Sequence, residues 1–109
     1  MATLTVISPS IAGTTFAAAS AAGGGDVFAN NGKTFLYIKN GDSGSHTVTV
    51  TPQNTVGAGY TISPIAVAVG AGVEKIIGPF DPQYFNNSSG QAVVTYDGVT
   101  SVTVKPVSF

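Results

Sequence analysis

The chain contains no cysteine, no tryptophan and no arginine, and its charged residues are four lysines and five acidic residues among 109. Without cysteine, neither disulfides nor thiolate metal sites can form. Charged residues make up 8% of the sequence, whereas ordinary soluble domains carry about 25%. Solubility must therefore depend on Thr, Ser, Asn and Gly. Such a surface can lie against another protein at low desolvation cost.

The charge balance and the lack of long apolar runs exclude two classes of partner. The net charge is −1, whereas a basic patch is the expected footprint of nucleic-acid binding. No apolar run approaches the roughly 20 residues that span a bilayer. The first residues lack the basic and long apolar regions of a secretory signal. We therefore expect a soluble protein, made in the cytoplasm, that binds neither nucleic acid nor membrane.

The clearest strand pattern lies at residues 34–38, between two Asn-Gly turns. Side chains alternate along a strand, so Phe35 and Tyr37 point one way and Leu36 and Ile38 the other. Because both faces are apolar, the pattern predicts a strand that is covered on both sides. The run is short, aromatic and β-branched, and glycines flank it, which argues against a helix.

Other short stretches repeat this alternation between turn residues. Hairpins are predicted at Asn31-Gly32, at residues 70–72 and at Asp97-Gly98. The pattern of seven or eight short strands without a convincing helix predicts an all-β fold, an antiparallel β-sandwich or a jelly-roll-like barrel. The residues expected to be largely buried are Phe35, Leu36, Tyr37, Ile38, Val48, Val50, Val94, Val102 and Val104.

The chain is long enough for one domain with a single modest core. Within it, residues 1–25 are predicted to form an amino-terminal strand and a small-residue arm or loop, and residues 26–109 the β-sandwich domain. Three glycines end the alanine run at residues 17–22, which favours a loop over a short helical turn. The arm buries little apolar area alone, so we expect it to order on a partner. The terminal Phe109 is expected to pack on a neighbour or on its own sheet.

The residues that usually carry chemistry are few. His46 is the only histidine, and no nucleophile or orienting group is evident beside it, so it is interpreted as a surface residue whose replacement by alanine leaves function intact. Asp26, Asp42, Asp81 and Asp97 each lie in turn sequence, where Asp is favoured for backbone reasons. A glycosidase pair drawn from them stays an alternative. We predict no enzyme, no catalytic residues, no cofactor and no metal site.

Four motifs occur in a recurring order: GKTFLYIKN at residues 32–40, TVTV at 47–50, IIGPF at 76–80 and YFN at 84–86. This order resembles the small all-β head decoration (cement) proteins of tailed bacteriophages, from about residue 30 to residue 104. The resemblance implies a structural virion protein, made in the host cytoplasm, that stabilises the capsid exterior by bridging neighbouring major capsid subunits. It also implies a homotrimer at three-fold and quasi-three-fold positions. The family has no invariant functional motif, so no contact residues are implied.

Two other functions stay open at this point. One is a carbohydrate-binding or adhesin-like β-sandwich module, although the lack of tryptophan argues against an aromatic sugar platform. The other is a different phage structural part, namely a tail or head-completion protein. A coat-stabilising protein needs area, complementary shape and many copies rather than chemistry. The charge-poor composition suits that task.

Overall fold

The computed structural model describes residues 2–56 and 60–108, so the expectation for Phe109 lies outside the described residues. The strands of the first half are β1 (Ala2–Thr3), β2 (Ala19–Ser20), β3 (Asp26–Ala29), β4 (Thr34–Asn40), β5 (His46–Thr51) and β6 (Thr55–Val56). They are followed by β7 (Tyr60–Thr61), β8 (Ile65–Val69), β9 (Glu74–Ile77), helix α1 (Pro82–Phe85), β10 (Gln91–Tyr96) and β11 (Val102–Ser108).

Nine of these strands form two sheets. The first sheet has the order β1-β3-β10-β5-β8, and the second has the order β2-β11-β4-β9. Within residues 2–56 and 60–108, strands β6 and β7 form a separate two-stranded pair. All neighbours within the two sheets are antiparallel except β1 and β3. The predicted all-β sandwich is confirmed, and its seven strands of four or more residues match the predicted number.

One apolar core joins the two sheets. The inward residues of the first sheet include Phe28, Val48, Val50 and Val94, and those of the second include Leu36, Ile38, Val102 and Val104. Phe80 and Phe85 join the same cluster from the segment around α1. Each fully buried side chain of this size contributes about 1.5–3 kcal/mol. Seven of the nine residues predicted to be buried are confirmed: Leu36, Ile38, Val48, Val50, Val94, Val102 and Val104.

The prediction that β4 is covered on both sides is wrong. Its burial alternates strictly: Leu36 and Ile38 are buried, whereas Phe35 and Tyr37 are only half-buried. In the described residues, the side of the second sheet that faces away from the core is therefore not covered by another sheet. Aromatic side chains occur on this outer side without being core residues.

The three predicted hairpins are also wrong. Strands β3, β8 and β10 belong to the first sheet, whereas β4, β9 and β11, which follow them in sequence, belong to the second. The turns therefore cross between the sheets. Gly32 and Gly72 do adopt the positive φ angles of 85° and 71° that turn sequences favour. A turn sets the local backbone direction, but burial of the following strand decides which sheet that strand joins.

Helix α1 is a single turn that begins at Pro82. Asp81 caps α1, and its Oδ1 accepts a hydrogen bond from the Gln83 backbone N–H at 2.9 Å. Pro82 occupies the start of the helix, where its missing N–H costs nothing. Phe85 is the residue through which α1 contributes to the core.

The amino-terminal residues meet the sandwich at both ends of an exposed loop. Leu4 is buried in the core, and the isolated bridge of Ile7 with Val107 extends the contact to β11. Residues 8–18 are all exposed. The chain then returns at β2, which pairs with Thr103 and Val104 of β11, so the alanine run contains a short strand and no helix.

Candidate functional site

An apolar surface covers part of the outer side of the second sheet. Phe35 and Tyr37 project from β4, and the register places Val107 of β11 beside Phe35 and Ile76 of β9 beside Tyr37. The ring of Phe16, from the exposed loop, packs on Tyr37. We call these five residues the apolar face. It follows directly from strand alternation, because each of the three strands carries an apolar residue at an outward position.

Four of these side chains line an open groove of about 340 Å³, namely Phe35, Tyr37, Ile76 and Val107. Ile76 is 71% exposed, which is a large fraction for an isoleucine. Its neighbour on the same strand, Ile77, is buried. A contiguous exposed apolar patch on a soluble domain commonly marks a binding site for another molecule. The groove has the shape and lining to accept apolar side chains of a partner.

Residues 8–18 extend this surface. The rings of Phe16 and Tyr37 meet edge to face, with centroids 5.0 Å apart, yet Phe16 stays 48% exposed. Ile11 lies at a turn in which the Gly13 N–H donates to the Ser10 carbonyl oxygen, and its side chain is fully exposed. The loop therefore adds the Phe16 ring next to the groove and exposes a second large apolar side chain, Ile11.

Charged residues also lie on the outer side of the second sheet, beside the residues of the apolar face. The Lys39 ammonium lies 3.8 Å from the Glu74 carboxylate on adjacent outward positions of β4 and β9, and both side chains are about half exposed. Partial burial and then Glu74 raise the pKa of Tyr37. Lys105, opposite Tyr37 on β11, is only 7% exposed. An apolar centre with a polar rim is the usual layout of a protein-binding surface.

A second cluster surrounds His46, at the start of β5. Its Nε2 lies 2.9 Å from Asp42 Oδ2, and its Nδ1 lies 3.3 Å from Asp97 Oδ1. The side chain of His46 is 14% exposed. The hydrogen bond to Asp42, and then the one to Asp97, raise the pKa of His46, and His46 in turn lowers the pKa of Asp42. Both ring nitrogens face carboxylates, so the arrangement suits a clamp between loops.

Sequence reasoning missed both of these partners. Asp42 precedes His46 by four residues, and that spacing was a usable signal. Asp97 follows β10 and is 51 residues away, so only the pairing of β10 with β5 brings it to His46. Asp97 Oδ1 also accepts the Thr47 N–H at 2.9 Å, which is a long-range contact with β5 and not the local turn role that was predicted.

The other two candidate aspartates have separate partners. Asp81 caps α1, in agreement with the backbone interpretation. Asp26 is in a strand rather than a turn, and it is fully buried. Its Oδ2 accepts from the Tyr96 hydroxyl at 2.7 Å and from the Ala22 N–H at 3.2 Å. The structure thus brings together only Asp42 and Asp97, on opposite sides of His46.

Two further kinds of site were sought in the part of the chain that the structure describes. No three His, Asp or Glu side chains there converge as ligands for a metal ion. The helix found in the same residues, α1, is too short to cross a membrane. The apolar face is therefore the feature of these residues that we interpret as a candidate functional site.

Comparisons with protein-family models, with curated proteins and with solved structures found no match. Membership of the head decoration proteins, which was inferred from the four motifs, stays a prediction.

Proposed function

We propose that this chain is a structural virion protein that decorates the outside of a bacteriophage capsid and stabilises it by bridging neighbouring major capsid subunits. The observation that supports a binding role most strongly is the apolar face, with its open groove and the 71% exposed Ile76. The resemblance of residues 30–104 to head decoration proteins supports the major capsid protein as the partner. The protein then acts on the virion surface, as a homotrimer.

The physical demands of this role agree with the surface. Apolar area contributes about 25 cal/mol for each Å² removed from water, and few charges have to be desolvated on this chain. Each copy needs only a modest affinity, because a protein that bridges several subunits gains avidity from simultaneous contacts. A charge-poor β-sandwich with one apolar outer side meets these demands without any chemistry.

The groove favours protein over carbohydrate as the occupant. Sugar-binding sites combine an aromatic ring with polar groups that hydrogen-bond the hydroxyls. The groove is lined by Phe35, Tyr37, Ile76 and Val107, of which only Tyr37 has a polar atom in its side chain. A carbohydrate-binding module is the alternative that the binding experiment below also tests.

Replacement of Ile76 by lysine tests the proposal. Because Ile76 is 71% exposed, Ile76→Lys is expected to change the free energy of unfolding by about 0.5 kcal/mol or less. The ammonium would lie unpaired in the contact, so binding should weaken about tenfold or more, which corresponds to ~1.4 kcal/mol. Binding is measured by co-sedimentation with shells assembled from the major capsid protein encoded by the same genome.

Ala66→Lys is the matched control, because Ala66 is also exposed on an edge strand but belongs to the first sheet. It should bind the shells as the unchanged protein does. Equal binding by all three proteins would contradict the role of the apolar face. Failure of the unchanged protein to bind the shells, together with retention on a polysaccharide array, would favour the carbohydrate module.

A further inference from the structure

Three segments meet at His46, at one end of the sandwich. They are the loop 41–45 that follows β4, the start of β5, and residues 97–101 that follow β10. Asp42 reaches the ring from the first segment, and Asp97 from the third. Since β4 lies in the second sheet and β10 in the first, the contacts through His46 connect the two sheets at this end.

The proton count at His46 is fixed by its neighbours. An ionised carboxylate only accepts hydrogen bonds, so each ring nitrogen that faces one has to carry a hydrogen. A neutral imidazole has one N–H and can satisfy either Asp42 or Asp97, but not both. Only the doubly protonated ring donates to Asp42 Oδ2 at 2.9 Å and to Asp97 Oδ1 at 3.3 Å together.

The packing leaves the ring little freedom to move away. A Cβ atom added to Gly98 would lie 2.7 Å from His46 Cε1 and 2.8 Å from Nδ1, so the absence of a side chain at residue 98 makes room for the ring. On the other side of the loop, the buried Asn40 donates to the carbonyl oxygens of Gly44 at 2.8 Å and Val69 at 2.9 Å. The Gly41 N–H also donates to the Ser101 carbonyl oxygen at 2.9 Å, which joins the loop to residues 97–101 directly. These bonds do not titrate, so the side-chain contacts of His46 are the part of this joint that depends on its protonation.

We propose that His46 is a pH-dependent latch, which holds Asp42 of loop 41–45 and Asp97 together while its ring is doubly protonated and releases one of the two carboxylates when the ring loses a proton. Among the described residues, the charged groups within ion-pair distance of the ring are Asp42 and Asp97. This device goes beyond the proposed function, because it needs no capsid and depends on this chain alone.

The sign of the pH dependence follows from the two pKa shifts. The pKa of His46 is raised above 6.5, so its contribution to stability is complete below pH 6.5 and is lost as the pH rises through the folded-state value. The pKa of Asp42 is lowered below 3.8, so its contribution is present above pH 3.8 and is lost as the pH falls. Both contributions are therefore complete between pH 3.8 and pH 6.5, where the latch is closed. The latch opens as the pH rises through the folded-state pKa of His46.

The single histidine makes the test direct, because its ring resonances are assigned without ambiguity in an NMR titration. The unchanged protein should titrate at a midpoint above 6.5. The backbone amide signals of residues 42–46 and 97–101 should shift with the same midpoint, and their protection against hydrogen exchange should fall there. The amide signals of β4 serve as the internal reference and should not follow that midpoint.

Two variants separate the latch from a bystander. Asp97→Asn keeps an oxygen that can accept the Thr47 N–H but removes the negative charge. Gly98→Ala places a methyl group 2.7 Å from His46 Cε1, so the ring has to shift. Each should lower the His46 midpoint, and His46→Gln should abolish the titration of the loop amides. A midpoint at or below 6.5 in the unchanged protein, or loop amides that do not follow it, would overturn the proposal whether or not the variants fold.

Discussion

At the scale of single residues, the buried carboxylate of Asp26 shows how this charge-poor core holds an ionisable group. Asp26 is fully buried, and Oδ1 has no hydrogen-bond partner among the described residues. The side chain of Asp26 is therefore held by the two hydrogen bonds that Oδ2 accepts, from the Tyr96 hydroxyl and from the Ala22 N–H. Burial and then Asp26 raise the pKa of Tyr96, so this hydroxyl stays a donor throughout the ordinary pH range.

Tyr96→Phe should consequently destabilise the protein. The substitution removes one of the two donors to a buried carboxylate, and a hydrogen bond to a charged group contributes about 1.5–3 kcal/mol. We expect the free energy of unfolding in urea to fall by that amount. Tyr84→Phe, at another half-buried tyrosine packed on the core, is the control and should change it by about 0.5 kcal/mol or less. Equal losses for the two variants would contradict the assigned role of Tyr96.

Some roles of single residues were predictable from the sequence, and others were not. Asp81 was predicted to have a local backbone role in a turn, and its local backbone role in the structure is to cap α1. The burial of Asp26 had no local signal, because its main partner Tyr96 is 70 residues away. Contacts of this kind depend on strand register, here the pairing of β10 with β3, which a single sequence does not specify.

At the scale of elements, β4 carries the two surfaces on which the account depends. Leu36 and Ile38 face the core, whereas Phe35 and Tyr37 face outward. Neighbouring residues on this strand should therefore have opposite consequences when they are replaced. We expect replacements on the core side to affect stability, and replacements on the outer side to affect the proposed binding.

Leu36→Ala and Tyr37→Ala test this separation. Leu36 is fully buried, so its replacement should lower the free energy of unfolding by about 2–5 kcal/mol. Replacement of Tyr37 removes mainly the contact with Phe16 and should cost only about 1 kcal/mol, while weakening shell binding as Ile76→Lys does. Urea unfolding and co-sedimentation measure the two effects. A Tyr37→Ala protein that is as unstable as Leu36→Ala would place Tyr37 in the core instead.

Periodicity and turn chemistry predicted the positions of strands and turns better than they predicted which strands pair with each other. The predicted burial of Val48 and Val50, both in β5, is confirmed. The turns at Gly32 and at residues 70–72 were located correctly, but hairpins were wrongly assigned to them. An apolar residue on a strand has the same local pattern whether it faces the core or a partner, which is why Phe35 and Tyr37 were mistaken for core residues.

At the scale of the whole molecule, composition and architecture both support the proposed binding role. A domain with 8% charged residues closes one core between two sheets, and it leaves a second apolar surface outside. The fold class was predictable because it depends on the number and spacing of short strands. The apolar face was not, because it depends on which outward positions the strand register places side by side.

Cryo-electron microscopy of decorated shells tests whether this chain binds the outside of the capsid through its apolar face. Shells of the major capsid protein encoded by the same genome are saturated with this chain and compared with undecorated shells. We expect added density for a β-sandwich on the outside of the shell, where it bridges neighbouring subunits. The outer side of the second sheet, including Ile76, should lie in the contact. Shells without added density, or a sandwich bound through its first sheet with the apolar face in solvent, would contradict it.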